Sequence, residues 1–241
     1  MNRWQQAFWL SKFELTHSKK SIFTLLFLLV PYSFFLTVSI SSYLEEHFML
    51  YDIFFLLTFG VAAIWAKPKE YQYQKISDNL WAQPFTVFLN QLPIPREIVV
   101  KSRFLIYFIY SVPFHLVVLI IMYSLAPELR QTLAPMEFIA FSLIWLSFGI
   151  CYGSVYPASD SGDKVTNVKM VFYAVVLLGS FTLLLFAVPY LSSHGLVGLT
   201  ILIASKWPIV TSVVSIFAAC ASVAFWMRYM KNHMNKLDYF Q

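Results

Sequence analysis

Charge is scarce in this chain. Of its 241 residues only 12% are Asp, Glu, Lys or Arg, where a soluble domain carries roughly 25%. With 59% hydrophobic residues and a mean hydropathy of +0.67, it has too little polar surface to cover itself in water. That excludes an ordinary soluble globular protein. Cysteine is nearly absent as well. Cys151 and Cys220 both lie in apolar runs and form no CxxC pair, so no disulfide framework is implied and both read as small packing residues. Chemistry-bearing motifs are missing too. There is no GxxxxGK[ST] phosphate loop, no HExxH and no GxSxG, which excludes the usual ATP-hydrolysing, zinc-protease and serine-hydrolase sites. The five histidines are scattered and carry no haem or metal signature. Glu45-Glu46 has no nearby arginine and no His-bearing partner run, so an intramembrane metalloprotease is not indicated.

What remains is a series of long apolar runs. A bilayer core of about 30 Å takes roughly 20 apolar residues per helix. Six runs qualify or nearly do: 21–40, 51–66, 104–125, 138–156, 170–190 and 208–227. The expected fold is therefore an all-α polytopic membrane protein with six transmembrane helices and no soluble domain. The first run lacks a cleavage site after it and reads as a retained span.

The basic residues set the orientation. With both termini inside, fifteen of the seventeen Lys and Arg fall in inner segments, and only Arg130 and Lys206 fall outside. Cytoplasmic retention of positive charge predicts this split. It also accounts for the net charge of +5 without a nucleic-acid partner. In a bacterium the location is the cytoplasmic (inner) membrane. Glu45, Glu46, Asp52, Glu128 and Glu137 fall in the outer loops.

Three segments depart from the simple pattern. Residues 1–20 mix Trp4, Phe8, Trp9 and Phe13 with Arg3, Lys12 and Glu14, which predicts a helix lying at the inner interface. From 170 to 205 no charged residue occurs, and Pro189, His194, Gly195 and Gly198 interrupt the run. Span five then ends near Tyr190, and 191–206 forms an outer segment, its apolar piece 196–204 re-entering the outer leaflet. The stretch 67–103 is the longest hydrophilic one, and it lies inside.

Within the spans His115 is almost the sole ionisable group. Polar groups at depth often mark pathways, and a histidine bonded to a neighbouring helix is equally economical. The absence of buried carboxylates and arginines speaks against a proton- or ion-driven pump. The many aromatic rings suit either lipid contact or a path for an amphipathic substrate.

The stretch 89–105 reads LNQLPIPREIVVKSRFL. Pro93 and Pro95 favour extended and turn conformations, and Pro95 suits a first helical turn. Beyond it PREIVVKSR is helix-compatible. Glu97 and Lys101 stand at i, i+4, and Arg96, Val100 and Arg103 share a face. Leu92-Pro93-Ile94-Pro95-Arg96-Glu97-Ile98-Val99-Val100-Lys101-Ser102-Arg103 resembles the coupling-helix wording of ABC-2 type exporter permeases. Pro95 stands where that family more often has Ser or Thr. Six spans, internal termini and an N-terminal interfacial helix resemble the same family.

The resemblance implies the membrane subunit of an ATP-driven exporter, itself not an enzyme. Leu92, Pro93, Ile94, Pro95, Arg96, Glu97 and Lys101 would contact a separate ATPase subunit. That subunit would hold ATP and Mg, with no cofactor on this chain. A second permease copy or paralogue would complete a dimer. The inner loop 157–169, with Asp160, Asp163 and Lys164, is the expected second contact, and His115 the candidate pathway residue. The implied cargo is an amphipathic substrate such as an antimicrobial peptide or toxin. The competing reading is a non-transporting immunity or sensor protein.

Overall fold

The computed structural model describes residues 2–17, 19–62, 65, 67, 72–191 and 194–237. Parts of the expected second span, of the hydrophilic stretch after it, and Ser192 and Ser193 lie outside the described residues. Among the described residues the chain is helical apart from one small sheet.

Helix α1 (Arg3–His17) precedes α2 (Lys19–Val38), and a bend at Ser39 leads to α3 (Ile40–Glu46). His47 ends α3 with φ 51°, a left-handed turn back into α4 (Met49–Gly60). After the sheet strands β1 (Gln74–Ser77) and β2 (Leu80–Ala82) come α5 (Pro84–Gln91) and α6 (Arg96–Leu125). There follow α7 (Pro127–Thr132), α8 (Pro135–Gly153), α9 (Val155–Ser159), β3 (Val165–Thr166), α10 (Asn167–Leu191), α11 (Gly195–Lys206) and α12 (Pro208–Met234). Four helices, α5, α7, α8 and α12, begin on proline, whose fixed φ and missing N–H cost nothing at a first position. The Glu137 carboxylate accepts the Ala134 N–H at 2.8 Å and closes the start of α8.

Five helices are long and apolar enough to cross a membrane: Lys20–Val38, Arg96–Leu125, Pro135–Ser159, Asn167–Val188 and Pro208–Met234. The expected second span differs. Its helix α4 has 12 residues, about 18 Å at the usual helical rise, and ends where the Phe181 ring packs on Gly60. The expected outer segment 191–206 contains a second short apolar helix, α11. The third span is longer than its apolar run, because α6 continues back through VVKSR to Arg96 for 30 residues. Pro95 stands just before the first turn, with ψ 129°, and its carbonyl accepts the Ile98 N–H at 2.8 Å.

The core is built on the aromatic face of α4. Tyr51, Phe55 and Phe59 recur at i, i+4 and i+8, one helix face, and all are buried. Tyr43 stacks on Tyr51 at 4.4 Å, and Trp145 packs on Phe55 at 4.7 Å. Tyr51 donates its hydroxyl to the Leu36 carbonyl at 2.9 Å. These rings pack inside the bundle. The outward rings and aliphatic side chains of α10 and α12, such as Phe172, Phe186, Phe217 and Phe225, are exposed.

The sheet was not expected. β2 pairs antiparallel with both β1 and β3, with Leu80 opposite Thr166 and Trp81 opposite Val165. Asp78 and Asn79 form the two-residue hairpin turn between β1 and β2, residue types suited to it.

Candidate functional site

Three distant segments meet at the basic end of the bundle: α1, the start of α6 and the end of α12. Their apolar contact is a separate cluster of Val99, Val100, Phe104, Ala158, Met230 and Met234, with Ile94 against its edge. Charges surround it. Glu97 takes hydrogen bonds from Lys101 (2.8 Å) and Arg3, and Lys231 approaches to 3.6 Å. The expected i, i+4 pair is thus one arm of a three-cation arrangement that binds α1 and α12 to α6. Lys101 also lies 4.7 Å from the Trp4 ring centroid, a cation–π distance. Arg96 donates to Asn235 Oδ1 at 3.0 Å.

Lys101 above all, and then Arg3 and Lys231, hold the Glu97 carboxyl below its ordinary range. A depressed carboxyl stabilises the arrangement above its unfolded pKa, and that contribution is lost as pH falls through the folded value. Glu97→Gln reproduces the loss at neutral pH. Tryptic cleavage after Lys12 is expected to quicken several-fold in this variant, and an unchanged rate contradicts the assignment.

Deeper in, Arg103 and Glu14 form a buried pair, with Arg103 Nη1 3.2 Å from Glu14 Oε1 and a second bond to Oε2. Ser11 adds a bond to the Ser102 carbonyl at 3.2 Å. α1 is therefore tied to α6 along its inner side, while Trp4, Phe8, Trp9 and Phe13 face outward.

The expected second contact loop is woven into the same end. Asp160 is buried and pairs with Lys67, and Gln83 donates to it at 2.9 Å. Asp163 meets His233 at 3.1 Å. Tyr73 donates to the Ser159 carbonyl at 3.0 Å, and burial, followed by the Asp160 and Asp163 charges, pushes its phenol well up. Trp81 donates to Asn167 at 2.6 Å. Of the three expected residues only Lys164 is exposed. Within 157–169, Pro157, Ala158, Asp160, Ser161 and Gly162 are buried, while Ser159, Lys164, Asn167, Val168 and Lys169 are exposed.

The outward part of the motif is a different set. Leu92, Pro93 and Pro95 are exposed, and so is Phe88 on α5. Ile94 is partly buried, while Glu97 and Lys101 turn inward to their partners. The motif thus splits into an apolar outward turn and a charged inward brace. Phe88 lies outside the motif, on the helix that precedes it.

His115 lies elsewhere, in mid-bundle. It is buried between Phe59 and Phe114, and its Nε2 stands 3.1 Å from the Thr58 carbonyl. That carbonyl belongs to the last turn of α4, and an Nε2–H tautomer donates to it. Among the described residues no three His, Cys, Asp or Glu converge as a metal site.

Long apolar helices with outward apolar flanks, braced at one end by paired charges, define a helical membrane protein of polytopic type. No protein-family model matches the chain, and no curated protein or solved structure matches it significantly.

Proposed function

We propose that this chain is the permease subunit of an ATP-driven exporter of the ABC-2 type. It crosses the bacterial cytoplasmic membrane six times, with both termini inside, and pairs with a second permease copy or paralogue. A separate ATPase subunit holds ATP and Mg, and an amphipathic peptide or toxin is the cargo. One observation carries the reading: α6 runs unbroken from Arg96 to Leu125, directly behind an exposed apolar turn of Phe88, Leu92, Pro93 and Pro95. Thirty residues make a rod of about 45 Å, longer than the roughly 30 Å bilayer core. Force applied at that turn is delivered across the membrane along one helix, whose single internal proline is Pro113. The cluster around Val99 and Met230 and the Glu97 brace keep the rod's foot from swinging.

Leu92→Asp and Phe88→Asp place charge on the turn and leave the inward brace intact. The tagged chain, purified from its native membranes, is expected to lose the nucleotide-hydrolysing subunit that accompanies the unmodified chain. Retention of that subunit and of its ATP hydrolysis in both variants overturns the docking assignment. Protection of cells against a toxic peptide, with no ATPase accompanying the chain, favours the immunity reading instead.

A further inference from the structure

At the end of the bundle opposite the Glu97 brace, one carboxylate is fully enclosed. Asp52 sits in the first turn of α4 and is 1% exposed. Its two oxygens accept the Leu196 and Val197 N–H groups of α11, each at 2.9 Å. Tyr43 donates its hydroxyl to Asp52 at 2.7 Å and accepts the Gly198 N–H at 3.0 Å. Three N–H groups that would be orphaned at the start of α11 are thereby satisfied from α3 and α4. Gly195 makes the approach possible. It adopts φ +67°, and a Cβ there would stand 2.6 Å from the Tyr43 hydroxyl and 2.9 Å from Asp52.

α11 also covers something. Against it is a half-open, largely apolar cleft of about 80 Å³, lined by Leu56, Trp145, Phe148, Leu184, Leu196 and Thr200 among others. Thr200 accepts the Trp145 N–H at 3.1 Å. The rest of the α11 underside is apolar: Leu196, Val197, Ile201 and Ala204 are buried. In water that burial would hold the helix down. In a bilayer it supplies little, because acyl chains are as apolar as the protein surface. Polar bonds then decide whether the helix stays docked, and they are concentrated on Asp52 and Tyr43.

We propose that α11 is a movable lid over this cleft and that Asp52, completed by Tyr43, is its latch. The ends of the lid are Gly195, with its left-handed backbone, and the Trp207–Pro208 junction, where Trp207 adopts φ −138°, ψ 61°. The exporter reading adds only that the lid faces outward and controls release on that side. The latch is independent of it.

The test uses the full chain in vesicles, with Cys151 and Cys220 replaced by serine and V197C as reporter. Val197 is inaccessible when the lid is down, so a membrane-impermeant maleimide reacts slowly. Asp52→Asn sets an amide NH2 against an N–H donor of α11 and removes the charge from the other bonds. Labelling is expected to rise about tenfold or more, and by a smaller factor in Tyr43→Phe. Amide exchange is expected to quicken in α11 while α4 and α8 stay protected. Labelling at the parent rate in a folded Asp52→Asn or Tyr43→Phe chain overturns the latch. So does loss of protection spread equally over α4, α8 and α11, which marks Asp52 as a general core group. Neither result depends on whether an ATPase accompanies the chain.

Discussion

Glu14→Ala and Arg103→Ala are each expected to destabilise the folded chain by about 3–5 kcal/mol, because each removes one partner of a buried ion pair. The two side chains are 4% and 3% exposed and bond through both oxygens of the carboxylate. The Arg103 guanidinium cannot shed its charge by deprotonation. The pair Glu14→Leu with Arg103→Met removes both charges at similar volume. It is expected to recover most of the loss, since replacing a buried ion pair by apolar groups is often neutral or better. Thermal unfolding of the detergent-solubilised chain measures all three. A double variant as unstable as either single one would show that the pair does more than neutralise itself, for example by setting the angle of α1 on α6. The readout separates the two, because loss of angle also changes cleavage after Lys12.

Gly153→Ala is expected to destabilise by about 3 kcal/mol, against the helical preference for alanine over glycine of about 1 kcal/mol. Gly153 closes α8, and a Cβ there would lie 1.7 Å from the Tyr107 hydroxyl and 2.4 Å from the ring carbon bearing it. Tyr107 cannot simply move aside. It is buried and donates to the Gly149 carbonyl at 2.7 Å. Displacing it leaves a phenol without its acceptor in an apolar setting, a cost of about 1–3 kcal/mol, in addition to overpacking. Tyr107→Phe in the Gly153→Ala background removes the hydroxyl that clashes and is expected to restore part of the loss. Unfolding midpoints of the two single variants and the double variant form the cycle that tests this. A Gly153→Ala chain as stable as its parent removes the contact from the account.

How much of this was legible in the residues differs from segment to segment. The long helices were, because twenty apolar residues in a row admit few other outcomes in a bilayer. The last run was also expected from Pro208, where α12 begins. The shortness of α4 was not readable. Phe55, Phe59 and their neighbours are as apolar as a lipid-facing run, and composition alone cannot tell a core face from a lipid face. The sheet was not readable, because β2 finds β3 some 85 positions away, and nothing local announces that partner.

The candidate site divides the same way. The LPIPRE stretch announced a turn, a helix start and an i, i+4 ion pair, and the Lys101–Glu97 bond follows that spacing. Its sequence did not reveal that Glu97 also receives Arg3 and Lys231, or that the outward surface is apolar. Asp160 looked like a solvent-facing loop residue and is instead enclosed by Lys67 and Gln83.

By itself, then, the sequence determined the class of solvent, the long helical segments and the asymmetry of charge between the two ends. Each of these depends on transfer free energies and backbone preferences that act residue by residue. Only the tertiary structure decided which few charged groups meet: Glu14 with Arg103 across 89 positions, and Asp52 with the first turn of α11 across 144. In a chain with so few polar groups almost any pairing satisfies composition. The pairing that forms is fixed by which helix ends the packed aromatic core brings together.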